Sequence, residues 1–517
     1  MIKEASKSKV HKKWEIFPTF AIVKGKLKNP MTEPSLKHKT TISLLWSFTD
    51  KFGQQVINLL SGIILMRILD ASEYGLIGAL TVFIAFSNLL IDSGFTRSLL
   101  NRKQVTAAEY STVFYFNLCL SVLLYLILFA VAPFLAKMFH EPRIEPIAKI
   151  LFLSLILNGI AMIQQTLLLK RADFRGLTKV NISSLLIAAT TAIMMAVNGL
   201  GVWALVTQTL VYAFFRSLFL WIYSKWKPIK TFSFKLLRSF AGLSNKLVLT
   251  SLINAVFNNI YPSIIAFFYP NSMNQVGYYS QANKYQNIPF AIISDSFRSV
   301  SMLVLTEINE QTKRLKRVVS KMMKMLAFLS FPIGIWMIIA AEPAFELLFK
   351  EKWLPAVPYF QVLCIAGMVS PFAYILNELF ISREKANYFL GVEIVRRIIL
   401  VILIAVLFKQ GIMGLAASWV IYTYITLIIS LVLSKRVINY SIISFLKDVL
   451  PYVFIAIISN AAVYFLTLKI ESNFLFLLIS IVSLGLIYLL LCRLFNLEMI
   501  REIRSWAIQK NKGRSYD

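Results

Sequence analysis

The sequence predicts an all-α integral membrane protein with about 14 transmembrane helices. The helices are expected to form two six-helix lobes in a pseudo-two-fold parallel repeat, followed by two C-terminal helices. Composition supports this class, because 58% of the 517 residues are hydrophobic, 15% are charged and the mean hydropathy is +0.69. One water-soluble core cannot bury that much apolar surface. Fourteen helices would occupy ~280 positions, which leaves little room for a large soluble catalytic domain.

The first 40 residues are polar and rich in lysine. They contain no apolar segment that ends in a small-residue cleavage site, so they do not resemble a signal peptide. We therefore predict a basic cytoplasmic tail over 1–40 and a second basic cytoplasmic tail over 495–517.

Between the tails, apolar segments long enough to cross about 30 Å of hydrocarbon follow one another. They define an N-lobe over 41–224, a cytoplasmic linker over 225–238, a C-lobe over 239–434 and two further helices over 447–494. The turn residues Asn198-Gly199-Leu200-Gly201 separate the fifth segment from the sixth. The predicted spans lie near 41–69, 74–100, 110–136, 147–169, 177–197, 200–224, 239–268, 274–305, 318–341, 355–381, 387–408, 411–434, 447–468 and 473–494.

Basic residues collect in alternate loops between these spans. Cytoplasmic loops of membrane proteins carry an excess of Lys and Arg, so the pattern places both termini in the cytoplasm. The net charge of +29 is then explained by anionic lipid and membrane orientation, and nucleic acid is not expected as a partner. The basic loops and tails are 1–40, 102–103, 170–175, 225–230, 313–317, 383–385, 435–436 and 501–514.

An internal repeat relates the two lobes at a shift of about 200 residues. Gly75 matches Gly277 and Phe95 matches Phe297, and the shift grows from about 202 to about 212 along the chain. Six spans is an even number, so both lobes have the same orientation and are related by an axis along the membrane normal. Such lobes meet at a central cleft, where a transporter would bind its substrate.

Residue patterns for catalysis or metal binding are not found in the sequence. Cys119, Cys364 and Cys492 lie in apolar segments, and His11, His38 and His140 are far apart in the predicted topology. No HExxH, GxSxG or Gly-rich phosphate loop occurs, and no cofactor is expected.

Four segments of the sequence resemble a known family. They are Ile63–Gly75 (IILMRILDASEYG), Leu90–Phe95 (LIDSGF) with Gly201–Leu205 (GVWAL), and Gly277–Ala282 (GYYSQA). They are similar to bacterial polysaccharide transporters of the Wzx flippase type, in the colanic-acid-exporter branch of the multidrug/oligosaccharidyl-lipid/polysaccharide superfamily. The resemblance implies a flippase without enzymatic activity. It would move undecaprenyl-diphosphate-linked oligosaccharide from the cytoplasmic to the periplasmic leaflet by alternating access. Membrane lipids, a polysaccharide polymerase and the chain-length machinery are the implied partners.

Charges inside apolar spans are costly, so each is a candidate for function. A diphosphate requires clustered cations, and Arg can give bidentate hydrogen bonds where Lys acts as a point charge. The alternative is that Arg97 and Arg298 reach the interface and that Asp50 pairs locally with Lys51. The cations expected to converge on the diphosphate are Lys51, Arg97, Lys246, Lys284 and Arg298.

Other polar residues in the spans have two interpretations each. Asn258 and Asn259 can bind sugar hydroxyls or bond between helices, and the structural interpretation is favoured. Asp92 and Asp295 are candidates for ion coupling. Glu393, Arg396 and Arg397 have i,i+3 and i,i+4 spacing, which favours a self-neutralised helix face over a ligand site.

Two other functions remain open from the sequence. A drug/cation antiporter of the same superfamily would rely on acidic groups such as Asp92 and Asp295. A membrane glycan polymerase or ligase should have a long extracytoplasmic loop, and the predicted spans leave none.

Overall fold

The computed structural model describes residues 36–92, 95–102, 104–308, 311–382 and 386–502, with some side chains inside these ranges left undescribed. The predicted tails lie mostly outside the described residues. The described chain is helical, with no strand in it, and the predicted all-α membrane class is confirmed.

The first eight helices correspond to the predicted N-lobe. Short connections separate them, and the break between α7 and α8 falls at the predicted turn, where Gly199 and Gly201 have φ of 76° and 54°. The helices are α1 (Leu36–Ile68), α2 (Ala71–Asp92), α3 (Phe95–Asn101), α4 (Ala107–Met138), α5 (Ile144–Leu151), α6 (Leu153–Lys170), α7 (Phe174–Val197) and α8 (Val202–Ser224).

The remaining helices correspond to the predicted C-lobe and the C-terminal pair. They are α9 (Phe234–Phe268), α10 (Met273–Glu307), α11 (Thr312–Ile339), α12 (Ala341–Phe349), α13 (Val357–Ser382), α14 (Ala386–Leu407), α15 (Gly411–Ile438), α16 (Ile442–Thr467) and α17 (Asn473–Leu494). Short 3-10 turns at Glu351–Ala356 and Phe408–Gln410 precede α13 and α15.

Each predicted span overlaps one helix of at least 18 residues, and the spans 74–100 and 147–169 also include parts of the short helices α3 and α5. The count of 14 membrane crossings stays a prediction. Within the described chain, 11 segments are long and apolar enough to cross a membrane, and one of them, 392–438, joins α14 and α15. The helices α1 and α10 are not among these segments. Both carry several polar and charged residues, as expected of helices that line a polar cleft.

Local sequence signals explain where several helices begin. Thr106 caps α4 by accepting a hydrogen bond from the Glu109 backbone N–H, and the Glu109 side chain accepts one from the Thr106 backbone in return. Asp173, Ser233 and Ser441 cap α7, α9 and α16 in the same way, through a side-chain oxygen. These caps satisfy backbone N–H groups that an isolated helix start leaves unpaired.

Most helices pack on helices of the same half of the chain, and the division into two lobes stays a prediction. In the first half α7 packs on α1 and α8, and α6 packs on α4 and α8; in the second half α13 packs on α10, α11 and α15. The exception is α2, which packs most extensively on α10 and α9 of the other half. The boundary between the halves is therefore built mainly by α2, α9 and α10.

The C-terminal pair attaches to the second half of the chain. Helix α16 packs on α11 and α17, and ion pairs reinforce this contact at one end. Lys324 lies 3.4 Å from Asp448 and also pairs with Glu498, while Lys321 lies 2.6 Å from Glu502.

Candidate substrate-binding site

Two glycines bring α2 and α10 into backbone contact across the boundary. A Cβ added to Gly75 would lie 1.9 Å from the Met273 carbonyl oxygen, and one added to Gly277 would lie 1.8 Å from the Ala71 carbonyl oxygen. Small residues allow this close approach of membrane helices. Ala71 and Gly75 correspond to Met273 and Gly277 at the same shift of 202 residues. The contact therefore repeats itself when the lobes are exchanged, as a two-fold axis requires.

Polar contacts close the same end of the cleft, which is the end predicted to face the periplasm and is called the outer end here. The Trp353 indole N–H donates to the Met66 carbonyl oxygen at 2.7 Å, and the ring is fully buried. Lys352 Nζ lies 3.1 Å from Asp70 Oδ1. Arg67 donates to the carbonyl oxygens of Leu347 and Leu348 at the C-terminal end of α12, at 2.6 and 2.7 Å. The outer end is therefore sealed across the two halves.

At the opposite, inner end the halves face each other through Lys51 of α1 and Asp295 of α10. Lys51 Nζ lies 3.7 Å from Asp295 Oδ2, and the two side chains are 68% and 59% exposed. The expected alternative, a local pair of Asp50 with Lys51, is not formed. Asp50 instead accepts hydrogen bonds from Asn181 and Gln54 within the first half. An exposed pair of this kind stabilises by roughly 0–1 kcal/mol, so it does not lock the inner end.

Lys284 also faces α1, but at a different depth. Its Nζ would lie 3.9 Å from a Cβ at Gly62, and it lies 5.5 Å from the Tyr285 ring centroid. Lys51 and Gly62 are eleven residues apart on α1, which is about 16 Å along a helix. One diphosphate cannot reach both lysines in this conformation. Lys284 therefore lies deeper in the cleft than Lys51 in this conformation, and the convergence of all five cations on one diphosphate stays a prediction.

The other predicted site residues differ in how they are placed. Arg97 and Lys246 belong to α3 and α9, and their side chains lie outside the described residues. Asp92 ends α2, and its buried Oδ1 has no hydrogen-bond partner in the described part of the chain. Asn259 donates to the Ala255 carbonyl oxygen of its own helix at 2.8 Å, which fits the structural interpretation. Asn258 is exposed and lines a cavity.

That cavity, called the C-lobe pocket here, has a volume of about 260 Å³. Arg298 lines it and donates from Nε to Glu378 Oε1 at 2.8 Å; the arginine is 64% exposed and the glutamate 9%. Asp295 and Arg298 are three residues apart on α10 and so are neighbours on the same face. The exposed side of the pocket is thus next to the Lys51 and Asp295 pair. The lining residues are Asn254, Asn258, Arg298, Ser370, Ala373, Tyr374, Asn377, Glu378, Glu393, Arg396, Arg397, Trp419, Tyr422, Thr423 and Thr426.

Two buried arginines form the inner wall of the C-lobe pocket. Arg396 is 1% exposed and donates to Glu393 at 2.7 Å, to Ser430 at 2.6 Å and to Asn377 at 3.1 Å. Arg397 donates to Asn254 and lies 3.5 Å from Glu393 Oε2. The spacing of Glu393, Arg396 and Arg397 predicted these ion pairs. The prediction of a ligand-free helix face overlooked that this face lines a cavity.

A smaller polar cluster occupies the corresponding place in the N-lobe. Arg216 donates to Asn181 at 3.1 Å and to Gln165 at 2.8 Å, and Asn181 donates to Asp50. The Asp50 carboxylate and the Arg216 guanidinium are therefore linked through the side-chain amide of Asn181.

An apolar hollow of about 530 Å³ lies between α2, α4 and α9 at the boundary of the halves. Phe83, Phe86, Leu124 and Ile264 are among its walls. Of its two serines, Ser263 is already hydrogen-bonded to the Ala79 carbonyl oxygen at 2.7 Å. The hollow accommodates an apolar chain and offers little to a polar one.

Comparisons with known proteins agree with this architecture. Over 437 residues the chain is 25% identical to an uncharacterized membrane protein in the cps region of Klebsiella pneumoniae, covering 81% of this chain and 87% of that protein. It is 25% identical over 343 residues to the succinoglycan biosynthesis transport protein ExoT of Rhizobium meliloti, covering 65% and 68%.

Solved structures show the same fold. The lipid II flippase MurJ in an inward closed conformation superposes with a TM-score of 0.72 at 16% identity, covering 88% of this chain and 100% of that one. An inward-facing multidrug transporter of the MATE family reaches 0.60 at 15% identity, covering 75% and 94%. The polysaccharide biosynthesis protein family matches residues 64–358. That match spans more than half of the chain and confirms the resemblance, and the chain belongs to this family.

Proposed function

We propose that this protein is a flippase, with no enzymatic step, that carries undecaprenyl-diphosphate-linked oligosaccharide units for surface polysaccharide synthesis. The units would pass from the cytoplasmic to the periplasmic leaflet of the bacterial inner membrane. The observation that carries this proposal is the cleft between the halves, which is sealed at the outer end and has exposed cations at the inner end. The naming of a relative as a succinoglycan biosynthesis transport protein supports it.

The cations suit a diphosphate that enters from the inner end. Lys51 and Arg298 have exposed charged groups on opposite halves, so an anion between them would contact both. Arg298 can present its remaining N–H groups as a fork, while Lys51 supplies a point charge. Arg97 and Lys246 are proposed to complete this level. Lys284, about 16 Å further along the helix, would meet the head group at a later stage of its passage.

The lipid part of the substrate needs a different surface. The apolar hollow between α2, α4 and α9 lies at the same boundary of the halves. A molecule with an anionic head and a long apolar chain would match both features at once, whereas a free sugar or nucleotide would use only the cleft.

The seal at the outer end supports alternating access. The reciprocal contact of Gly75 with Gly277 joins α2 to α10, so the outer end can open only if this contact parts. We propose that the two halves rock about this region, with Asp92 and Asp295 as candidates for ion coupling. A polysaccharide polymerase and its chain-length machinery would take over the unit after release.

The decisive experiment follows the leaflet in which lipid-linked units accumulate. In a strain that lacks this protein, units should continue to be made and should remain on the cytoplasmic leaflet. Units that reach the periplasm but stay unpolymerised would instead support the polymerase hypothesis. A drug/cation antiporter would leave the distribution of units unchanged.

A further inference from the structure

One aromatic ring of α13 is exposed where the rest of the helix is enclosed. Every residue from Pro371 to Phe380 is buried except Tyr374 and the half-buried Asn377, so other helices surround this part of α13. Tyr374 is nevertheless 52% exposed, and it lines the C-lobe pocket. Its exposed surface therefore faces the pocket and the cleft, where lipid does not cover it.

Trp419 of α15 provides a second ring in the same lining. Its ring centroid lies 5.6 Å from that of Tyr261 and 5.5 Å from that of Tyr422, and these contacts fix its position. The face of an aromatic ring is electron-rich, and the C–H groups on one face of a sugar ring are weakly positive. Two rings in the wall of a polar pocket are therefore suited to a sugar.

Two buried arginines set the orientation of the amides in this lining. Arg396 donates to the side-chain oxygen of Asn377 at 3.1 Å, and Arg397 donates to that of Asn254. An arginine can only donate, so each amide turns its oxygen to the arginine. The NH2 end of each amide is left for a ligand, since neither has an acceptor in the described part of the chain. The arginines thus position two donors in the pocket wall.

Hydroxyl groups of the lining supply acceptors. Ser370 donates to the Gly367 carbonyl oxygen at 3.1 Å, and Thr423 donates to the Trp419 carbonyl oxygen at 2.8 Å. Each hydroxyl has used its proton, and its oxygen can still accept. A sugar hydroxyl both donates and accepts, so it matches this mixture, whereas inorganic phosphate would leave the acceptors and the rings unused. The volume of about 260 Å³ equals that of roughly nine liquid waters, which is enough for one sugar ring.

The pocket lies beside the inner-end cations. Glu378 is one turn after Tyr374 on α13 and accepts a hydrogen bond from Arg298 of α10 at 2.8 Å. A sugar ring on Tyr374 is therefore next to the arginine that is proposed to contact the diphosphate. The sugar that is bonded directly to the diphosphate is the one that reaches this position.

We propose that the C-lobe pocket binds this first sugar ring of the transported unit. Tyr374 is its stacking surface, and the amides of Asn254 and Asn377 donate to its hydroxyl groups. The inference rests on the proposed function, because the sugar arrives as part of the lipid-linked unit. Arg396 and Arg397 act as positioning residues, since they hold the two amides and do not contact the sugar.

The test uses the purified full chain and free sugars, and therefore does not depend on flipping. The chain is placed in phospholipid nanodiscs, because detergents with sugar head groups would compete. Saturation-transfer difference NMR should detect binding of at least one of glucose, galactose and N-acetylglucosamine. Tyr374→Leu should weaken this binding about fivefold or more, and Tyr374→Phe, which keeps the ring, should retain it. Tyr464→Leu is the matched control: it removes a tyrosine that is 46% exposed on α16, outside the pocket, and should have no effect.

Asn377→Asp tests the amide donor without breaking the arginine contact. The new carboxylate keeps an oxygen for Arg396 and replaces the NH2 donor with a second acceptor. Sugar binding should fall about fivefold, while thermal stability is not lowered. An amide that only supports the fold would leave sugar binding unchanged.

Three results would overturn the inference. They are no binding of any of the three sugars, undiminished binding in Tyr374→Leu, and undiminished binding in Asn377→Asp. If a sugar binds as expected but lipid-linked units still cross the membrane without this protein, the pocket assignment stands and the proposed function fails. The opposite pair of results would leave the flippase and remove the sugar subsite.

Discussion

Replacing Gly75 by alanine should force the outer seal open. The new methyl group would lie 1.9 Å from the Met273 carbonyl oxygen, and real Cβ contacts are essentially never under 3.0 Å. The opposing atom belongs to the backbone, so it cannot rotate away, and α2 and α10 must separate. Overpacking of this kind typically costs about 1–3 kcal/mol.

This cost applies only to the conformation in which the outer end is closed. The ratio of outer-closed to outer-open molecules should therefore fall by about 5- to 150-fold. Gly277→Ala should act in the same way, because its methyl group would lie 1.8 Å from the Ala71 carbonyl oxygen. Gly485→Ala is the matched control: it is also within a helix, and nothing lies within 4 Å of its added Cβ.

The assay measures access to the seal from outside the cell. Ala71→Cys places a thiol at the contact in a chain whose three native cysteines are replaced by alanine. A membrane-impermeant maleimide should label it at least about fivefold faster in Gly75→Ala and Gly277→Ala than in the parent, and Gly485→Ala should have no effect. Export should fall while abundance is kept. Unchanged labelling in both glycine variants at normal abundance would show that this contact does not set the closed state.

Four further predictions concern the inner end, a helix cap and the topology. Arg298→Ala removes a charge-assisted contact of about 1.5–3 kcal/mol and leaves buried Glu378 without its partner, so abundance and export should both fall. Adding Glu378→Gln to this variant should restore abundance but not export. Arg298→Lys should recover only part of export. Lys51→Ala should reduce export, and neither Lys51→Ala nor Asp295→Asn should change abundance on immunoblots, since the exposed pair stabilises by roughly 0–1 kcal/mol. Full export by Lys51→Ala would contradict a substrate contact for Lys51. Thr106→Ala should lower thermal stability by about 1 kcal/mol without changing the labelling of the outer seal. Reporter fusions after Arg143 and Lys352 should report the periplasm, and fusions after Arg175 and Lys316 the cytoplasm; a cytoplasmic signal from the Arg143 fusion would overturn the topology.

The hydrophobic composition and the length of the apolar segments supported the fold prediction, because a helix in lipid must satisfy its own backbone and be long enough to span. The repeat added the match of Gly75 with Gly277, which the structure shows as a direct contact. What could not be predicted is which residues meet across the boundary. Lys51 pairs with Asp295, and Trp353 donates to Met66, although each pair is more than 200 positions apart. The sequence around each of these residues does not indicate its partner.

The C-lobe pocket shows a second limit. Glu393, Arg396 and Arg397 were visible as a charged helix face, and local spacing correctly predicted their ion pairs. Glu378 and Asn377 are polar residues within an apolar span, and that was a usable signal for the opposite wall. The cavity between the walls depends on packing among α9, α10, α13, α14 and α15, and single-helix patterns do not contain that information.

The attachment of the C-terminal helices determines what they do when the halves separate. Since α16 packs on α11 and the ion pairs of Lys321 and Lys324 join that helix to the chain after α17, both helices would travel as one body with the C-lobe. The end of this pair near Glu502 would then change its distance from the N-lobe in every cycle. A label at this end would report the relative position of the lobes, and a partner bound there could hold the transporter in one state without entering the cleft.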